Sequence, residues 1–192
     1  MRPLRRRAVV LAAIACVAGA ACQLRRPDTI PIRMIEPQLV EPSRQGTGPD
    51  ATPIRLVETR AREHISRRIL WRQTNGELVE DPIWRWSSMP ERYLDTALRL
   101  ELASSPSVRL VDASDASLLA ATLLVWALES SRSQLVGAVE FQFTGTDRVV
   151  RTHVVQGSEP VSSELPGDLA AAAGRLFHRL ASEGLTRATH GQ

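Results

Sequence analysis

The residue best placed for covalent chemistry is Cys22, whose thiol follows the small residues Gly19-Ala20-Ala21 at the end of an uncharged apolar run that begins at Val9. Arg2, Arg5, Arg6 and Arg7 put positive charge ahead of that run. A permanent span of about 30 Å of hydrocarbon needs about 20 apolar residues, so this shorter run has the length of a cleaved export signal. Small side chains before a cysteine suit a signal peptidase groove, and the thiol can accept a diacylglyceryl group. The pattern predicts a signal over residues 1–21 and an acylated Cys22 as the first mature residue. An ordinary secretory signal or an uncleaved anchor would use the same residues. Cys16 is the weaker acceptor, because it would cut the apolar run to about eight residues.

Chemistry of other kinds finds little material. His64, His153, His178 and His190 fall in no HExxH or comparable ligand spacing, and GxSxG, P-loop and GxGxxG patterns are absent from the sequence. Both cysteines, Cys16 and Cys22, belong to the signal region, so the rest of the chain offers no disulfide, thiol nucleophile or cysteine metal ligand. Paired serines such as Ser104-Ser105 and Ser130-Ser131 stand where caps and turns belong. No catalytic residue, metal or cofactor is expected. The tryptophans say more. Trp86 and Trp126 read as core residues, whereas Trp71 and Trp84 are candidates for a partly exposed interface anchor.

Charge narrows the partners. All 24 basic residues are arginines; four lie in the signal with no acid beside them, leaving 20 against 21 acidic residues, a net charge of −1. Binding to nucleic acid would require basic charge clustered on the folded part, and it is not expected.

The elements that must position these residues follow from periodicity. Residues 22–53 carry Pro27, Pro31, Pro37, Pro42, Pro49 and Pro53 and predict an extended tether, with a short strand allowed around Pro31 to Ile35. A domain over residues 54–187 follows, and 188–192 reads as a disordered tail. Strand-like runs at Ile54–Thr59 and Arg68–Arg72 lead to Asn75-Gly76, a two-residue hairpin signal. Ser88 and Glu91 have the spacing of a capping box ahead of a helix with Tyr93, Leu94, Ala97, Leu98 and Leu102 on one face. Leu118–Leu128, the alternation Val139, Phe141, Phe143, and Arg148–Gln156 predict a three-stranded antiparallel meander. A last helix carries Leu169, Ala172, Ala173, Leu176, Phe177 and Leu180 and is expected to end near Gly184. The fold class is therefore α+β: an antiparallel sheet of about five to six strands, with two amphipathic helices on one face.

One segment carries a family resemblance. A strand ending in Trp71-Arg72, then Asn75-Gly76-Glu77, Asp81-Pro82, Arg85-Trp86 and a Pro90-Glu91 helix bearing Leu94 and Leu98 resembles the ABC-type transport auxiliary lipoproteins, the PqiC-like envelope proteins. The likeness extends over about residues 54–187. It implies a non-enzymatic lipoprotein that pairs with a periplasmic MCE-domain protein and an ABC permease and ATPase to move phospholipid or related lipids between membranes. From the family only Cys22 is carried over as a site. Gln23 stands where inner-membrane lipoproteins keep Asp, which favours the outer membrane, with the domain in the periplasm. Homo-oligomer formation is left open. The rival expectation is a lipoprotein activator of a cell-wall synthase, since a proline-rich tether bearing a small α+β domain suits that task equally.

Overall fold

The computed structural model describes residues 30–41, 48, 50–163 and 165–190; the predicted signal, Cys22 and much of the predicted tether lie outside them. In chain order the described elements are β1 (Arg33–Ile35), β2 (Thr52–Ala61), β3 (Arg68–Arg72), β4 (Leu78–Trp86), α1 (Pro90–Ser104), β5 (Val108–Leu110), β6 (Ser117–Glu129), β7 (Gln134–Thr144), β8 (Val150–Pro160) and α2 (Pro166–His190).

The meander forms as its alternation predicts. Leu119, Ala121 and Leu123 of β6 stand opposite Phe143, Phe141 and Val139 of β7, and Val139 opposite Val155 of β8, all turned to one buried face. The helices cover that same face. Phe177 of α2 stacks on Trp126 with ring centroids 4.1 Å apart, Trp126 meets Trp86, and Leu94, Leu98 and Leu102 of α1 join the same core. Each large side chain buried there contributes about 1.5–3 kcal/mol.

The sheet differs from the expectation in size and direction. It has eight strands and is mixed, because β2 and β3 both run parallel to β6: β2 along Ser117–Leu123 and β3 at Leu128 and Glu129. The sheet thus forks beside β6. One branch continues to β5, and the other runs through β4 to β1. Strands of three residues, such as β1 and β5, are too short to show a period, and parallel pairing leaves no local mark in a sequence.

Other boundaries shift for identifiable reasons. The domain begins near Ile32 rather than at residue 54, since β1 pairs in parallel with Trp84–Trp86 and buries Ile35. The chain then crosses α2 at Gly174, where Gln38 N–H donates to the Ala170 carbonyl at 3.0 Å and a side chain at 174 would collide with the Gln38 backbone. α2 runs through Gly184, which lets the helix settle on the Phe141 ring, and continues to His190; Ala188, assigned to the tail, is buried. The hairpin after β3 has three loop residues, with Gly76 alone at positive φ and Gln73 N–H bonded to the Glu77 carbonyl. No capping box forms at α1. Met89 is the N-cap, Pro90 opens the first turn, and the Ser88 amide donates to the Tyr93 hydroxyl at 2.8 Å.

Candidate binding cleft

Trp71 and Trp84 line one cleft of about 550 Å³, together with Ile35, Leu128, Val161 and Leu169 and a rim of serines that includes Ser130 and Ser162. Its shape originates in β4. Arg68 pairs with Arg85 and Leu70 with Glu80, so β4 carries residues 81–84 where β3 carries only Ile69. Pro82 has no amide to give a ladder, which suits it to such an excursion.

Asp81 holds the excursion in shape. Its Oδ1 accepts from the amides of Ile83 at 2.8 Å and Trp84 at 2.7 Å, while its Oδ2 accepts from Trp71 Nε1 at 3.1 Å. One carboxylate therefore orients the indole of Trp71 and the backbone that bears Trp84. Arg85 staples the carbonyl side, donating to the oxygens of Asp81 and, at 2.8 Å, Trp84. Burial pushes the Asp81 carboxyl up, but the amides of Trp84 and Ile83, the Trp71 indole and the Arg85 charge together hold it below the usual range. On the β1 side, the Arg33 guanidinium lies 5.5 Å from the Trp84 ring centroid. Glu36, just beyond β1, accepts from Ser87 and, at 3.1 Å, from Tyr93 Oη.

Half-buried indoles, aliphatic walls and a hydroxyl rim make a surface that can take an apolar anchor and exclude water around it. Both tryptophans singled out in the sequence reach this cleft, while Trp86 and Trp126 are buried in the core. Sequence reasoning missed Asp81 as the group that orients them. Its signal was the Asp-Pro pair, because an Asp side chain readily caps the amides two and three residues on.

His153 and His178 serve packing and pairing. His153 stacks on Phe141 at 5.5 Å, and its Nε2 lies 3.2 Å from the Gly184 carbonyl. His178 Nδ1 is 2.5 Å from Glu101 Oε1, joining α2 to α1. Burial raises the Glu101 carboxyl above its usual value, against the opposing pull of His178. His64 is exposed in the loop after β2, and the His190 side chain lies outside the description. Among the described residues no three His, Cys, Asp or Glu side chains come together as metal donors. No described helix is long and apolar enough to cross a membrane.

No protein-family model and no curated protein matches the chain. Solved structures do match. Protein XCC0632 from Xanthomonas campestris, described as a DUF330 protein, is similar with 18% identity over 84% of this chain and 96% of its own, at a TM-score of 0.62. An uncharacterised protein matches with 12% identity over 84% of this chain and 99% of its own, at 0.65. The hypothetical protein CT253 from Chlamydia trachomatis matches at 0.53, with 11% identity over 71% of this chain and 95% of its own. At these identities the likeness establishes a shared fold.

Proposed function

We propose that this chain is an envelope lipoprotein, acylated at Cys22, that serves without catalysis as an auxiliary subunit of an MCE/ABC-type lipid transport system. In this reading the lipid anchors it to the outer membrane, and the folded domain docks a periplasmic MCE protein through the Trp71–Trp84 cleft. The observation that carries the reading is the cleft itself: two half-buried indoles side by side, with one carboxylate holding the Trp71 indole and the backbone that bears Trp84. The fold shared with a DUF330 protein supports it, since DUF330 is the PqiC-like family that the Trp71 to Leu98 segment resembles.

Co-purification from envelope membranes tests this function. The full chain should bring down an MCE-domain protein and its permease. Recovery of a cell-wall synthase without any MCE protein would transfer the assignment to the activator reading. Turnover of an ester or glycan, abolished by one side-chain substitution, would overturn both. Mass spectrometry of the mature N-terminus tests the anchor separately, with a diacylglyceryl-modified Cys22 as the expected species.

A further inference from the structure

Away from the cleft, α2 carries a second polar arrangement. Glu159 on β8 is a carboxylate with a side chain only 7% exposed, and two arginines of α2 reach it. Arg179 approaches with Nη2 on Glu159 and Nη1 on the Ser158 carbonyl at 3.0 Å. Arg175 uses Nε alone, at 3.0 Å. One guanidinium suffices to neutralise a buried carboxylate; here there are two, and each is half-exposed. The Arg175 side chain is half-exposed, and neither of its Nη groups has a hydrogen-bond partner among the described residues.

The neighbouring turn completes the arrangement. Residues 175, 178 and 179 share one helix face. His178, whose Nδ1 lies 2.5 Å from Glu101 Oε1, lines the same side, and Ser182 adds a hydroxyl one turn further. Together with Glu159 and Glu183 these residues line one shallow depression. Of the two acids that line it, Glu159 is paired with both arginines, and Glu183 is compensated by Arg187 at 2.5 Å. A guanidinium fork such as that of Arg175 matches the oxygen spacing of a phosphate better than a point charge does.

We propose that Arg175, His178 and Arg179 form a receptor for a phosphate oxyanion, the group common to free phosphate and phospholipid headgroups. Glu159 acts as the positioning residue that holds both guanidinium groups in place. The site stands apart from the tryptophan cleft, and its assignment does not depend on the partner assigned to that cleft.

Calorimetric titration of the full chain in a neutral, phosphate-free detergent tests the proposal, with inorganic phosphate and sn-glycero-3-phosphoglycerol as separate probes. Binding of the first alone identifies a free phosphate site, and tighter binding of the second identifies a headgroup site. In either case Arg175→Gln should weaken binding about tenfold or more, the loss expected for one charge-assisted hydrogen bond. Arg99→Gln, which removes an exposed arginine from α1, should leave binding unchanged. Arg175→Lys keeps a cation beside Glu159 while removing the fork, so it should fold like the parent and still bind several-fold more weakly. Absence of binding by both probes, or equal weakening by Arg175→Gln and Arg99→Gln, would overturn the site.

Discussion

The four tryptophans divide into two pairs that use the same side chain in opposite ways. Trp86 and Trp126 lie in the core between sheet and helices, at 1% and 4% exposure, where the indole acts as apolar volume. Trp126 gives up a hydrogen bond to be there, since its Nε1 is buried with no protein partner. Trp71 and Trp84 pack only partly against that core; Trp71 Nε1 is satisfied by Asp81, and both rings face the cleft. In the core, position follows from packing. At the cleft it is imposed by a carboxylate, at a place where both rings are only partly buried. Oriented but unfinished apolar surface of this kind is what a partner can complete.

The largest expected effect separates the pairs directly. Trp86→Ala should destabilise the domain by about 3–5 kcal/mol, whereas Trp84→Ala should cost about 1–2 kcal/mol because much of its ring already meets solvent. Denaturant unfolding of both variants measures the contrast, and equal midpoints would erase the distinction. Gly174→Ala comes next. Its methyl group would collide with the Gln38 backbone, so the segment after β1 must shift at a cost of about 1–3 kcal/mol. Hydrogen exchange should then show lost protection at Gln38 and along β1, with β7 and β8 unchanged.

The sequence made the core pair legible and left the cleft half-readable. Alternation at Val139, Phe141 and Phe143 and the stripe on α2 specify the meander and its cover without any long-range knowledge. The cleft depends on the excursion at residues 81–84, on β1 contributing Ile35, and on β6 contributing Leu128. Those pieces come together through parallel pairings between segments far apart in sequence, which no local period encodes. The two indoles could be flagged from residue type; the carboxylate that aims them required the fold. The capping-box spacing at Ser88 and Glu91 misled for a related reason: the Tyr93 hydroxyl reaches back and takes the Ser88 amide instead.

A smaller effect sharpens the comparison through pH. Asp81 is held below its usual range, so its stabilisation is present above the unfolded value of about 3.9 and disappears as pH falls through the lower folded value. Glu101, between the helices, has the opposite sign. Burial raises it, so its contribution is greatest below the unfolded value of about 4.3 and is lost as pH rises through the higher folded value. In melting curves taken from pH 3 to 8, Asp81→Asn should flatten the acid limb. Glu101→Gln should instead remove the decline above pH 4.5. Identical profiles for both variants and the parent would show that neither carboxylate is coupled to folding.

The most direct test of the docking role proposed for the cleft is the affinity of the full chain for an MCE-domain protein, measured for the parent, Trp84→Ala, Trp71→Ala and Arg99→Gln. Truncating either indole should lower affinity by about 2 kcal/mol or more, roughly thirtyfold, with the Arg99 variant unchanged. Parental affinity in both tryptophan variants, with their folds intact, would contradict the assignment of the cleft as the docking surface.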